Sequence, residues 1–467
     1  MNDAVVLVSA PSSLSERYGL LAPFGSTLPN LGLLSLAAVL RREDFSITII
    51  DAAALGLTAD DIVRRIKQRK PAVVGISCVT MTVDSAGRLA GHIKQSLPDT
   101  RVFIGGPHVS ALPQQTLLDR PGFDYGVVGE GEIAFLNAVR SITTGGGPEG
   151  MPGIVFRRDT TVTVGPRAGL IEKLDSLPFP AWDLLEGFPG RYHPSILKSR
   201  RLPSTHVVTS RGCPHQCIFC DTSVFGRTVR FHSAEYVLDL LQHLALRFGI
   251  RDVTFEDDQF LLDRPRVEKI CEGIRRRLPS LTWSCNGRVN SITDPEFPRL
   301  LRASGCRQIN FGIESGDQAV LDAVRKGITL SQVGRAVDMV HRAGIQSRGY
   351  FILGFPGDTP ETVRRTIRFA RRLPLDDISV FMLTPFPGSE IYRRMNQEHG
   401  LTGSFDKMNV LTVITAPRRL NEQQLRSAYT AFLRAFYLRP RALPGLLATL
   451  WRMAPPAGRL AHEFLRP

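Results

Sequence analysis

At 467 residues, 43% of them hydrophobic, the chain is long enough for two or three domains with ordinary globular cores. Its formal charge of +14 comes with no RNA- or DNA-binding motif, which argues against a nucleic-acid partner, and no apolar run reaches the length of a membrane span. Seven cysteines, three of them clustered, suit a reducing cytoplasm better than a disulfide scaffold, and the first residues lead into a strand rather than the apolar core of a signal peptide.

Residues 4–9 read as a strand, 29–42 as a helix, 46–51 as a strand, 59–69 as a helix and 72–78 as a strand. A helix at 82–96, a strand at 101–105, a short helix at 113–118, a strand at 125–129 and a helix at 132–143 follow. Five β-rich runs separated by helices predict a doubly wound, Rossmann-like α/β domain over residues 1–145. Such a sheet binds its ligand outside the carboxyl ends of the strands, at the switch point. Residues 146–200 form a Pro-rich linker with strand-like pieces at 153–157 and 161–164. Its segment 177–185 reads equally as a packed connector or a functional piece.

A second alternation places strands at 206–210, 252–256, 281–286, 308–313, 346–353 and 377–383. Helical patterns at 234–248, 264–278, 295–303, 331–343 and 360–373 separate them. Six such units predict a partial (β/α)6 TIM-type barrel over 201–390, with its chemistry at the C-terminal strand ends. The remainder, 391–467, is a basic, mostly helical C-terminal extension. Leu425, Ala428, Tyr429, Phe432 and Phe436 have the spacing of a helix packed on the barrel. Beyond them, residues 437–452 mix an apolar run with arginines. They read either as a basic stretch resting on anionic lipid or as a solvated end that pads the catalytic domain.

The chemistry concentrates after the first strand of the second unit, in Arg211-Gly-Cys-Pro-His-Gln-Cys-Ile-Phe-Cys220. Cys213, Cys217 and Cys220 can grip three irons of a [4Fe–4S] cluster. Such clusters usually take four cysteines, so the fourth iron would keep an open position. The alternative is a zinc knuckle, but zinc usually takes a fourth protein ligand, and His215 lies inside the loop, poorly placed to complete a tetrahedron. Cys78, Cys271, Cys285 and Cys306 show no ligand spacing and read as buried thiols.

That loop, with Phe255-Glu-Asp-Asp-Gln-Phe260, Phe311-Gly-Ile-Glu-Ser-Gly316 and Gly349-Tyr-Phe-Ile-Leu-Gly-Phe-Pro-Gly-Asp358, resembles the radical SAM (S-adenosylmethionine) superfamily. Asn30-Leu-Gly-Leu-Leu-Ser-Leu-Ala37, Gly105-Gly-Pro-His108 and Gly129-Glu-Gly-Glu132 narrow the resemblance to the class with an N-terminal cobalamin (B12)-binding domain. It covers about residues 4–400.

The resemblance implies a set of SAM contacts. Phe219 falls where the family packs the adenine, although it would also shield the cluster. Glu256, Asp257 and Asp258 end the second barrel strand, where acids accept hydrogen bonds from the SAM ammonium; helix capping is the other reading of Asp258. Arg288 is a candidate carboxylate partner or a surface arginine. Glu314 and Ser315 stand where they would meet the ribose or polar groups. Gly354 and Gly357 permit close approach to the adenine. In the first domain, Ser77 and Thr80, Gly105 and Gly106, and Gly129, Glu130 and Gly131 surround the crevice implied for cobalamin. His108 is a hydrogen-bonding residue or, less in keeping with the motif, an axial ligand of cobalt; the Asp-x-His-x-x-Gly motif of other methylcobalamin enzymes is absent.

The implied activity is a cobalamin-dependent radical SAM methyltransferase that methylates an unactivated carbon through a 5′-deoxyadenosyl radical and methylcobalamin. The alternative is a radical SAM cyclase or ring-rearranging enzyme of lipid, tetrapyrrole or natural-product biosynthesis. Methylthiotransfer is disfavoured because those relatives carry three more N-terminal cysteines and this chain offers only Cys78. A non-catalytic cobalamin sensor is disfavoured by the intact cysteine loop. The implied partners are a small-molecule substrate, a lipid or natural-product precursor among the options, and a one-electron reductant such as flavodoxin or ferredoxin. The implied location is cytoplasmic, with peripheral membrane contact through the tail as the second reading.

Overall fold

The computed structural model describes residues 3–18, 22, 25–192, 194, 201–401 and 405–440. Strand β1 (Ala4–Ser9) shows how the first domain forms. Val5 and Leu7 point to one face and Val6 and Val8 to the other, and all four are buried. A strand apolar on both faces belongs in the middle of a parallel sheet covered by helices on each side. β1 pairs with β2 (Ser46–Asp51) and β3 (Val73–Ser77), and β4 (Arg101–Gly105) and β5 (Tyr125–Val127) follow in the order β2-β1-β3-β4-β5, all parallel. The switch point falls between β1 and β3. The helix Leu31–Arg42 is started by Asn30, whose Oδ1 accepts from Leu33 N (3.2 Å) while its amide donates to Ser77 Oγ (3.2 Å) at the end of β3.

The linker differs from its sequence reading. β6 (Ile154–Arg158) and β7 (Thr161–Val164) add to the first sheet as antiparallel strands, so the sheet runs on past residue 145. They cover the edge that β5 would otherwise leave unpaired. The segment around Trp182 is packed between the domains, and Leu177, Pro178, Pro180 and Trp182 also line the cavity between them: Trp182 is buried, Ala181 N donates to Leu34 O (3.1 Å), and Phe179 meets the Tyr236 ring edge-on at 5.0 Å.

In the second domain β8 (Ser204–Val207) leads to a short antiparallel pair, β9 (Ser210–Arg211) and β10 (Arg230–Phe231), which brackets the cysteine loop. β11 (Asp252–Phe255), β12 (Thr282–Gly287), β13 (Cys306–Glu314), β14 (Gln346–Leu353) and β15 (Asp377–Met382) then pair in sequence beside β8, all parallel. This is the partial barrel that the alternation predicts. One continuous hydrophobic cluster joins one face of the first sheet, the connector and the barrel; the other face of the first sheet has a core of its own. The two domains therefore share a core.

The helix Glu422–Tyr437 buries Leu425, Phe432 and Phe436, as its spacing predicts, and the Phe432 ring lies 5.1 Å from that of Phe351 on β14. Arg439 is buried too, donating to Leu373 O (2.9 Å) with its guanidinium over the Phe436 ring. Thus one arginine of the basic tail closes the barrel rather than facing solvent. Residues 441–467, which hold most of the segment read as amphipathic, lie outside the described residues. Among the described residues no helix is long and apolar enough to cross a membrane. Phe432→Ala should cost about 3–5 kcal/mol, the usual loss for a buried aromatic, read as a lower urea midpoint for unfolding of the barrel.

Candidate active site

The C-terminal ends of the strands of both sheets open onto one cavity of about 780 Å³. From the first domain come Ser77 after β3, Gly105 and Gly106 after β4, and Gly129, Glu130 and Gly131 after β5; from the barrel come the three cysteines, Phe219, Glu256, Asp257, Asp258, Arg288 and Glu314. Thr80, His108, Ser315, Gly354 and Gly357 are not part of its wall.

The cysteine loop is folded from its ends. Gly212 takes φ +90°, and a Cβ there would stand 2.3 Å from Thr228 O, so glycine alone lets the chain turn from β9 into the loop. Ile218 N donates to Val324 O (3.2 Å) and Ile391 N to Ile218 O (2.9 Å), pinning the loop to two neighbouring segments. Cys217 is buried, Cys213 half-buried and Cys220 exposed. A hydrogen bond with Cys220, with Lys326 and Arg288 nearby, holds the Cys217 thiol well below its ordinary pKa. Donors already aim at the sulfurs: Gln259 Nε2 lies 3.7 Å from Cys213 Sγ and Arg288 NH1 3.8 Å from Cys217 Sγ. Three thiols of one loop on a cavity wall, with amide and guanidinium donors around them, fit a [4Fe–4S] cluster with an open iron.

The barrel interior is polar, where a closed TIM barrel packs branched aliphatics. Asn286 Nδ2 donates to Glu256 Oε2 (2.9 Å), Asn310 Nδ2 to Asn286 Oδ1 (3.1 Å), and Gln308 Nε2 to Asn310 Oδ1 (2.8 Å). Glu256 therefore faces the cavity held by an amide ladder. Beside it Asp258 lines the cavity, still exposed, with its pKa raised by partial desolvation. Asp257 does something else: its Oδ1 accepts from Thr209 N (2.9 Å), Thr209 Oγ1 (2.9 Å) and Ser210 Oγ (2.5 Å). Burial raises its pKa while these donors oppose the rise. It lies at the cavity wall, but that oxygen is committed to holding the approach to β9.

Glu314 sits where the register of β13 slips, with φ +66°, and Lys326 Nζ holds its Oε1 at 2.7 Å. A left-handed non-glycine residue costs about 1–3 kcal/mol and persists only where its surroundings hold it. The neighbouring residue differs from its sequence reading. Ser315 is turned away from the cavity, bonded to Thr366 Oγ1 (3.1 Å) and accepting from Asp317 N (3.2 Å). Gly354 and Gly357 also lie off the wall: Asp358 Oδ2 accepts from Gly354 N (2.9 Å) and Phe355 N (3.0 Å), so the motif is a pinned turn. Its Phe355 packs 5.3 Å from the Phe219 ring.

In the first domain the two adjacent glycines differ. A Cβ on Gly106, at φ +112°, would stand 2.3 Å from Cys78 O, so the backbone itself requires glycine. A Cβ on Gly105 would meet no atom within 4 Å, and its bare Cα faces the cavity. Leu7, Leu36, Phe103 and Phe135 line an apolar part of the same cavity. A bare strand end beside an apolar recess at the switch point fits a large planar ligand such as a corrinoid. Thr80 and His108 do not line this cavity. His108 Nδ1 lies 3.3 Å from Thr80 Oγ1, and its ring meets Phe405 edge-on at 4.7 Å. Burial and then Arg120 depress its pKa to about 4. It seats a segment that crosses from the barrel to the first domain.

The acids after β5 also have a role that the sequence reading did not assign. Glu130 Oε1 takes Arg230 NH2 at 2.5 Å, its Oε2 accepts from Ile171 N (2.9 Å), and Glu132 Oε1 takes Arg211 NH2 (2.5 Å) and Ser35 Oγ (2.8 Å). Burial pushes the Glu132 carboxyl up, yet Arg211 and Ser35 hold it below the usual range. Arg211 and Arg230 sit on β9 and β10, so this motif clamps the stem of the cysteine loop to the first domain. Asn286, Asn310, Gln259 and Lys326 were also absent from the sequence reading. Amides inside otherwise apolar strands were the available signal for the first two.

Two family models match the chain: B12 binding domain over residues 18–139 and Radical SAM superfamily over 207–370. Among curated proteins, an uncharacterized methyltransferase of Pyrococcus horikoshii is 33% identical over 421 residues, spanning 90% of each chain. The anaerobic magnesium-protoporphyrin IX monomethyl ester cyclase of Rubrivivax gelatinosus is 28% identical, spanning 89% of this chain and 75% of its own. Among solved structures, the radical S-adenosylmethionine methyltransferase TsrM of Kitasatospora setae, with cobalamin and a [4Fe–4S] cluster bound, superposes with a TM-score of 0.70. It is 21% identical, over 98% of this chain and 92% of that one.

Arg230→Met should destabilise the protein by about 3–5 kcal/mol, the cost of leaving a buried charge without its partner, measured as a fall in the melting temperature. His108→Ala should leave the corrinoid absorption of protein purified from B12-supplied cells unchanged; loss of those bands would restore the axial-ligand reading.

Proposed function

The chain belongs to the radical SAM superfamily, among the members that carry an N-terminal B12-binding domain, and from that premise we propose that it is a cobalamin-dependent methyltransferase acting on an unactivated carbon. The observation that carries this reading is the single cavity onto which both sets of strand ends open. When bound, the cluster with SAM supplies a 5′-deoxyadenosyl radical and the corrinoid supplies the methyl group. The chain's own residues hold and orient these groups. Cys213, Cys217 and Cys220 would ligate the cluster, and Phe219 would cover its flank. Glu256, fixed by the Asn286–Asn310 ladder, and the neighbouring Asp258 would accept hydrogen bonds from SAM. Glu314, held by Lys326, would receive its polar groups. Ser77, Gly105 and Gly129 would bear the cobalamin.

The similarity to an anaerobic cyclase over most of the chain supports a second reading, ring formation on a tetrapyrrole or related precursor. The partners proposed with either reading are a small-molecule substrate and a low-potential one-electron donor protein. Lipid contact through residues 441–467 is a further proposal, supported by their arginines and leucines alone.

With reductant and SAM, the anaerobically reconstituted protein should form 5′-deoxyadenosine and S-adenosylhomocysteine, detected by mass spectrometry. Product carrying an extra methyl supports the first reading; 5′-deoxyadenosine with cyclised, unmethylated product supports the second. Cys213→Ala should abolish SAM cleavage and leave corrinoid content unchanged. A protein that forms neither nucleoside product with any candidate substrate would overturn both.

A further inference from the structure

Arg288 is 5% exposed, follows β12 and forms no ion pair with a carboxylate among the described residues. Its NH1 points at Cys217 Sγ (3.8 Å), its NH2 donates to the carbonyl of Lys326, and its Nε has no partner. Lys326 is equally buried but is neutralised by Glu314 at 2.7 Å. A buried cation without an anion is costly unless one arrives. The group that Arg288 already touches is a thiol of the cysteine loop. The sequence reading offered SAM's carboxylate as its counter-ion. Yet one N–H of each terminal nitrogen is already committed, NH1 to Cys217 Sγ and NH2 to the Lys326 carbonyl, so the contact to the cysteine loop is built in before any ligand arrives.

We propose that Arg288 is a positioning residue whose anion is the cluster itself: it donates to Cys217 Sγ and sets how readily the oxidised cluster accepts one electron. The step is uptake of a single electron from a low-potential donor, with no bond made or broken. A hydrogen bond to a ligand sulfur and a positive charge beside it both stabilise the added negative charge, and these are among the terms that set the potentials of such clusters. Arg288 supplies both from one side chain. This rests on the reading of Cys213, Cys217 and Cys220 as cluster ligands.

The test is a potentiometric titration of the reconstituted protein, followed by electron paramagnetic resonance without SAM or substrate. At the potential that half-reduces the wild type, Arg288→Met should lower the reduced-to-oxidised ratio on the order of tenfold, about 59 mV for one electron. SAM affinity, measured by equilibrium dialysis, should change by less than about threefold. An unchanged ratio with SAM affinity lowered tenfold or more would overturn the proposal and return Arg288 to the carboxylate. If Arg288→Met takes up no cluster, Arg288→Lys and Arg288→Gln replace it. The lysine should keep the wild-type ratio and the glutamine should lose it; a glutamine variant that matches the wild type overturns the proposal. A wild-type protein that takes up no cluster defeats the functional reading instead, so the two failures are distinguishable.

Discussion

The arrangement of the active site depends on four charges buried between the domains: Glu130 and Glu132 after β5, Arg211 and Arg230 on either side of the cysteine loop. Their side chains are between 1% and 11% exposed. A buried ion group gains little net stability, because desolvation offsets most of the attraction. What it contributes is register. Apolar contact along the shared core tolerates sliding, whereas carboxylates that already hold Ile171 N and Ser35 Oγ accept the two guanidinium groups in one geometry. A reaction in which two bound cofactors act on one substrate carbon requires that kind of fixed separation, since small displacements of reacting groups cost orders of magnitude in rate.

The clamp reaches into the barrel through one carboxylate. Asp257, two residues past the end of β11, holds Thr209 and Ser210, the two residues before Arg211. Arg266 adds a second grip, with NH2 bonded to Thr209 O (3.0 Å) and Oγ1 (2.8 Å). The acidic strand end therefore divides its work. Glu256 and Asp258 face the cavity while the residue between them fixes the stem of the cysteine loop. All three line the cavity, and the middle one also spends an oxygen on the scaffold.

This division explains what was legible in the sequence. Strand and helix order in both domains could be read because two-sided apolar runs and helical periodicity are local properties. β6 and β7 were seen as strands, but their place in the first sheet was hidden, since pairing partners are not encoded in the strand that needs them. The cysteine loop could be read because its spacing is itself the ligand geometry. Glu130 and Asp257 line the cavity but carry a structural duty as well, and Ser315 and His108 lie off its wall. Each lies beside the cavity in sequence, but its side chain is engaged by a residue from a distant element: Arg230, Thr209, Thr366 and Phe405 respectively.

Glycine makes the same point in its sharpest form. Gly105 and Gly106 are adjacent in one motif and look interchangeable in the sequence. At Gly106 both the dihedral angle and the Cys78 carbonyl forbid a side chain, so the residue would be glycine with or without a ligand. At Gly105 neither constraint applies: a methyl group would fit the protein and intrude only on the cavity. Steric necessity thus separates a glycine that the fold requires from one that it does not, which the motif alone does not do.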